Sequence, residues 1–402
     1  MNDHLPQADT RTVDTIADNV EVSVVIPCLN EAGTLDGVVR AALQAFRARD
    51  IRGEVVVADN GSTDGSAAIA DRAGARVVQV PSRGYGHALR GGIMAARGGL
   101  VIMGDADGQH DFGDIGRFID RLREGFDLVQ GCRLPSGGGR VMPGAMPLSH
   151  RWVGNPMFSW MARRWFGAPV HDVYCGMRGF RKDLFDRLDL RCTGMEFATE
   201  MILKASLSGA RIAEAPITVH PDRRIGRPAH MRTVRDGWRT LRFFLLYSPR
   251  WLFLIPGVLF ILLGMLGYAL ALPGVFIGRV TFEANTLLFA SVSILCGYQS
   301  VLFAIIAKTF AVSEGLLPED PRLNRFFEVM NLEKGLLIGV TALVVGIASL
   351  GVVLDLWRQS GWSHLEFPRT MRWVIPGATL TALGFQTILS SFLVSIAGLR
   401  RR

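Results

Sequence analysis

The stretch LVIMGDADGQH, residues 100–110, decides how this chain is read. Leu100–Met103 is a short continuous apolar run, the pattern of a strand covered on both faces. Asp105 and Asp107 follow at once, two residues apart, at what is then a strand end. Two carboxylates so spaced reach one hard cation, and Gln109 adds a neutral oxygen. Mg²⁺ or Mn²⁺ takes oxygen ligands and shares its shell with diphosphate oxygens. His110 reads as a loop histidine rather than a ligand.

Outward from this stretch, similar runs recur: VSVVIP at 22–27, EVVVAD at 54–59, RVVQV at 76–80 and DLVQG at 127–131. Helix-like segments, such as 34–49, separate them. The alternation predicts an α/β domain, a parallel-type sheet with helices on both faces. Ligands in such sheets bind at the carboxyl ends of strands. Those ends carry Pro27, Asn30 and Glu31, then Asp59, then Asp105–Asp107. Asp59 and Glu31 are suited to accept hydrogen bonds from a base or ribose, and Ser62, Thr63 and Asp64 read as turn and cap residues. GYGHALRG at 84–91 departs from a dinucleotide fingerprint at Leu89, and no G-x-x-x-x-G-K-[ST] occurs, so neither a nicotinamide site nor a P-loop is expected.

The chain has 402 residues, 49% of them apolar, and a mean hydropathy of +0.26. The apolar residues are segregated. Residues 251–278, 284–307, 335–354 and 373–399 are uncharged over 28, 24, 20 and 27 positions. About 20 apolar residues cross a bilayer core as helix, which predicts an all-α transmembrane domain of four helices over 250–402. Residues 1–20 lack the basic start and apolar run of a signal peptide and read as a mobile tail. The loop at 308–334 carries Lys308, Arg322, Arg325 and Lys334, and the chain ends in Arg400–Arg402. The expectation is a multi-pass protein of the inner (plasma) membrane with the domain 21–229 and both termini cytoplasmic, although Arg358, Arg369 and Arg372 run against the positive-inside rule. Between the halves, at 230–249, Val234, Trp238, Leu241 and Leu245 share one helical spacing and Arg232, Arg235, Arg239 and Arg242 another. That predicts an amphipathic interfacial helix with its arginines on lipid phosphates, or else a basic linker helix. Lys plus Arg exceed Asp plus Glu by only 8, which does not indicate nucleic acid, and five scattered cysteines give neither a disulfide framework nor a zinc site.

In order, P-x-x-N-E (27–31), D-x-G-S-x-D-G (59–65), G-x-G-x-A-L-x-x-G (84–92), D-A-D-x-Q (105–109), Gly131-Cys-Arg133, DVYCGMRGF (172–180) and MEFATE (195–200) resemble the A-type family 2 glycosyltransferases. The likeness is to the group of dolichol-phosphate mannose synthases and bacterial polyprenyl-phosphate glycosyltransferases, and it covers about 22–228. It implies a GT-A-like fold and a nucleotide-sugar donor contacted by Pro27, Asn30, Glu31, Asp59 and Ala106. Asp105, Asp107 and Gln109 would hold the metal and diphosphate. Arg133 and Arg223 would face phosphates, Arg223 from an R-x-x-G motif. In the mannose synthases that motif continues with Ser-Lys; here Arg227-Pro228-Ala229 stands instead, so Arg227, His230 or Arg232 would supply the missing charge.

The reaction so implied moves a hexose from a nucleotide sugar, GDP-mannose or UDP-glucose, to dolichyl or undecaprenyl phosphate, with inversion at the anomeric carbon. A phosphate monoester is already anionic near pH 7, with a second pKa of about 6, so a catalytic base is not obligatory. The Gly- and Pro-rich stretch 135–147 reads equally as a lid or a connection, with Arg140 and Arg151 as candidate phosphate contacts. Glu196 divides between a helix cap and the acceptor site. Asp172 reads as orienting the Gly176–Arg178 turn. Two alternatives stand: a transferase acting on a glycan or glycolipid hydroxyl, and a transport or scaffold protein whose domain only binds nucleotide. A homo-oligomer is compatible with the sequence.

Overall fold

The computed structural model describes residues 20–222, 233–277 and 280–398. It divides into two compact units at Leu241/Arg242. The first is built on a seven-stranded sheet of order β3-β2-β1-β4-β7-β5-β8. Its strands are β1 (Val22–Cys28), β2 (Gly53–Asp59), β3 (Arg76–Gln79), β4 (Leu100–Met103), β5 (Leu128–Cys132), β7 (Arg178–Arg181) and β8 (Ile212–Pro216). Two-residue strands β6 (Arg140–Val141) and β9 (Thr218–Val219) pair with each other beside it.

The apolar runs fall where the sequence places them. In β1, Val22, Val24 and Ile26 point to one apolar core and Val25 to the other, the period of two that a strand buried on both faces requires. Helix α1 (Leu35–Ala48) buries Leu35, Val38, Val39, Ala42 and Phe46, one stripe at helical spacing. Gly53 opens β2 because the Phe46 ring fills the space of a side chain: a Cβ there would come within 2.5 Å of the ring. Helices α2 (Ser66–Arg72), α3 (Tyr85–Ala95) and α4 (Ile115–Arg123) complete the strand–helix alternation. One strand departs from the parallel pattern. β7 runs antiparallel between β4 and β5, pairing Met103 and Gln130 with Arg178. It arrives after α5 (Asn155–Met161) and leads into α6 (Lys182–Leu188) and α7 (Glu196–Leu207).

Helix α8 (Thr233–Leu246) buries Thr240, Phe243 and Phe244, while Trp238, Arg239 and Arg242 are exposed. Trp238 therefore shares the arginine face, not the buried one. In the second unit four helices are long and apolar enough to cross a membrane: Arg250–Ala271, Ala284–Ser313, Leu332–Gln359 and Arg369–Gly398. They match the four uncharged stretches. Glycine lets them approach closely: a Cβ on Gly297 would come within 2.6 Å of the Gly257 carbonyl, and one on Gly264 within 2.6 Å of Ala290 O. Hydroxyls also pair between helices, Tyr268 with Ser291 and Tyr298 with Thr387, each at 2.6 Å. Small residues and hydroxyl pairs are how helices associate without a hydrophobic gradient. The segment 308–334, expected as a loop, contains a short helix, Pro321–Val329, capped by the Asp320 carboxylate.

Candidate active site

β2, β1 and β4 are neighbours, and their register sets Cys28 against Asp59 and Val25 against Met103. The loops that follow them therefore open side by side. The first two interlock. The amides of Asn30 and Glu31 donate to Ser62 Oγ and Ser66 Oγ, both at 2.9 Å, and that of Ala32 to Asp64 Oδ2 at 3.1 Å. The Thr63 amide donates back to Asn30 Oδ1 at 2.7 Å. Ser62 and Asp64 thus bind one loop to the next, beyond the capping role expected of them. Asp59 is 2% exposed and accepts the Ser62 amide at 3.2 Å. It lies beneath its loop instead of open at the rim, where Pro27 and Glu31 are half-buried.

The third loop holds the two acids. Asp105 Oδ1 accepts the Tyr85 hydroxyl at 2.8 Å. On its other side the carboxylate lies against Gly176, where a Cβ would overlap Oδ2. His110 Nδ1 stands 3.8 Å from the same oxygen, buried and without a hydrogen-bond partner. Burial raises the Tyr85 phenol well above its usual range, so it stays a donor, and burial lowers the His110 imidazole, so it stays neutral. Asp107 accepts the Gln109 amide at 3.0 Å. Thr34 Oγ1 donates to Ala106 O at 2.6 Å, which ties this loop to the start of α1. The His220 amide donates to Gln109 O at 2.8 Å, so the chain leaving β9 passes the acidic loop.

Tyr85 owes its place to the glycines around it. A Cβ on Gly84 or Gly86 would come within 2.6 Å of the Thr193 or Cys192 carbonyl, and the Gly86 amide donates to Thr193 O. The 191–193 loop is in turn held by Glu200, which accepts the Arg191 and Cys192 amides and pairs with Lys204 at 2.9 Å. Burial opposes the Glu200 charge, yet the Cys192 amide and Lys204 bring its pKa below the usual value.

Arg133 follows β5 and is gripped by Asp172. Nε donates to Oδ2 at 2.7 Å, Nη2 to Oδ1 at 2.9 Å, and the Arg133 amide to Oδ2 at 3.0 Å. Asn155 Nδ2 gives Oδ1 another bond at 2.7 Å. Burial opposes both charges, but the pairing wins: Asp172 is held below the usual carboxylate range and Arg133 above its own. Asp172 therefore anchors Arg133, and its side chain does not orient the 176–178 turn as expected. Arg178 lies fully buried under the site, donating to the Ala198 carbonyl and to Cys175 O. Cys132 and Cys175 are pushed up to about 12 by burial and are neutral thiols.

Of the other expected residues, Arg140 is exposed on β6, and Glu196 sits in the first turn of α7 without a capping bond. Arg223, Arg227, His230 and Arg232 lie outside the described residues, as do residues 1–19 and Arg400–Arg402. Among the described residues no group of three or more His, Cys, Asp and Glu side chains is placed to hold a metal ion. Asp105 and Asp107 would thus leave most of an octahedral shell to water and substrate, which is the habit of Mg²⁺.

Comparison with known proteins agrees with this geometry. The family model described as glycosyl transferase family 2 matches residues 23–189, and that of the glycosyltransferase family 2 C-terminal transmembrane region matches 305–398. The low-salt glycan biosynthesis hexosyltransferase Agl6 of Haloferax volcanii is 36% identical over 94% of this chain and 89% of its own. A dolichyl-phosphate hexose transferase of the same organism is 33% identical over 49% of this chain and 82% of its own. The undecaprenyl-phosphate 4-deoxy-4-formamido-L-arabinose transferase of Klebsiella pneumoniae is 27% identical over 65% and 89%. With an acidic loop at the rim of a mixed sheet and a helical unit fit for a membrane, this chain belongs to the family 2 glycosyltransferases and is membrane-associated.

Proposed function

We propose that the chain transfers a hexose from a nucleoside diphosphate sugar to a polyprenyl phosphate at the cytoplasmic face of the membrane, with inversion. The observation that carries this reading is the seating of Asp105, fixed by Tyr85 on one oxygen and closed in by Gly176 on the other, beside Asp107 at the sheet rim. Relatives named for dolichyl and undecaprenyl phosphate support the acceptor. Family membership sets aside the transport or scaffold alternative.

Asp105, Asp107 and the Gln109 side chain would hold Mg²⁺ or Mn²⁺, which when bound supplies Lewis-acid charge to the departing diphosphate. Tyr85 fixes the orientation of the Asp105 carboxylate. Asp172 occupies two N–H groups of Arg133 and leaves others for a phosphate oxygen, already oriented. Pro27, Asn30 and Glu31 border the nucleoside, Asp59 holds the Ser62 amide of the loop beside them, and Ala106 stands between the acids. Arg140, Arg223, Arg227 and Glu196 are proposed on the acceptor side. The acceptor brings its own negative charge, so the residues of this site need only position it and shield the reaction.

The test offers purified full-length chain a panel of labelled nucleotide sugars with undecaprenyl or dolichyl phosphate and Mn²⁺. Label should enter an organic-extractable lipid, and an Asp105→Asn/Asp107→Asn variant should lose it. Label that enters only a hydroxyl acceptor, with a rate that requires a deprotonated carboxylate, would give the glycan-directed alternative instead.

A further inference from the structure

Between β5 and β7 the chain leaves the sheet, and its composition changes. From Arg133 to His171 there are five arginines (Arg133, Arg140, Arg151, Arg163, Arg164) and no Asp or Glu. Within this stretch residues 150–166 are continuously helical, with α5 flanked by π-helical turns. The inward face buries Asn155, Phe158, Ser159, Met161, Ala162 and Phe166. It also does structural work: Asn155 bonds Asp172, and Ser159 Oγ accepts the Val173 amide at 3.1 Å.

The outward face is apolar. Leu148, Trp152, Val153, Met157 and Trp160 are 72, 64, 64, 45 and 53% exposed. Positions 152, 153, 157 and 160 fall on one side of a helix at 100° per residue, with Leu148 one turn before them. A contiguous apolar stripe on a folded domain marks a surface that is covered in use. Two features identify the cover. Exposed tryptophan beside arginine is the side-chain chemistry of the membrane–water interface, and the Arg151 guanidinium lies 5.2 Å over the Trp152 ring. With Arg133 engaged by Asp172, the other four arginines of this segment complement anionic headgroups, and the same chain carries four helices fit to cross a bilayer.

We infer that the Leu148–Trp160 face docks on the headgroup layer of a lipid bilayer. The helix then meets lipid on one side and holds Asp172, and through it Arg133, on the other. Docking would steady the strut beneath Arg133 at the surface where a lipid-borne substrate arrives.

The experiment uses full-length chain in phosphatidylcholine/phosphatidylglycerol vesicles. In a Cys192→Ser/Cys296→Ser background, an environment-sensitive fluorophore is attached at Met157→Cys or, as control, at Arg187→Cys on α6. Lipids spin-labelled near the headgroup then quench it. A drop of roughly twofold is expected at position 157 and none at 187, because a docked face reaches about 5–10 Å into the headgroup and acyl boundary. Adding Trp152→Glu/Trp160→Glu, both at exposed positions, should return position 157 to the control level with the circular dichroism unchanged. Equal emission at 157 and 187 overturns the inference. So does pyrene excimer emission at 157, which would put a second copy of the chain on this face. The readout involves no sugar transfer and is independent of the donor and acceptor proposed above.

Discussion

Tyr85 and Asp105 are twenty residues apart and share a 2.8 Å hydrogen bond, donor on the phenol and acceptor on Oδ1. The Tyr85 side chain is half-buried. Tyr85→Phe keeps the ring and deletes the bond. We expect the metal concentration for half-maximal binding to rise about tenfold, in line with other outer-shell partners of metal ligands. Mn²⁺ titration followed by electron paramagnetic resonance, with nucleoside diphosphate present, reads this without turnover. An unchanged midpoint would remove Tyr85 from the site.

Gly176→Ala tests the other side of the same carboxylate. The added methyl overlaps Asp105 Oδ2, and a displacement near 1 Å costs about 100-fold in rate. Gly33→Ala, with open space around it, should be silent. Assaying both for sugar transfer decides whether the seat of Asp105 matters.

The Arg133–Asp172 pair predicts a pH-dependent stability. Asp172→Asn leaves Arg133 buried without its counter-charge, at a cost of about 3–5 kcal/mol. The Asp172 carboxyl sits below its unfolded value of about 3.9. Its contribution is therefore complete at neutral pH and disappears as pH falls from that value through the folded one. Thermal melts should show a large gap between wild type and variant at pH 7 that closes under acid. A gap that stays constant with pH would contradict the pairing.

Glu200→Gln should loosen the 191–193 loop. The buried Lys204 keeps the Asp189 carbonyl but loses its counter-charge, and the Arg191 and Cys192 amides lose a charged acceptor. We expect faster hydrogen exchange at Arg191–Thr193 and at the Gly86 amide, which bonds Thr193 O. Exchange unchanged at Gly86 would show that the loop does not set the start of α3.

Much of this was legible in the sequence because it is local. The Val/Ile runs, the acids directly after LVIM and the uncharged stretches each lie within one segment. What was not legible depends on distant partners. β7 contains one large apolar residue, Phe180, and becomes a strand only because β4 and β5 flank it. Tyr85 sits in a glycine run that carries no sign of Asp105. Asp172 meets Arg133 across 39 residues, and its neighbours in sequence suggested a local turn role. Trp152 and Trp160 are residues that ordinarily fill a core, and only the fold shows that they face outward.

The central claim is tested most directly by the chemical identity of the lipid product. Mass spectrometry and ³¹P NMR of the extracted lipid should show one phosphate joining one hexose to the polyprenol, formed by wild type with a divalent cation and missing with Asp105→Asn/Asp107→Asn. A product whose sugar is attached to a hydroxyl, or equal product from the double variant, would contradict the account.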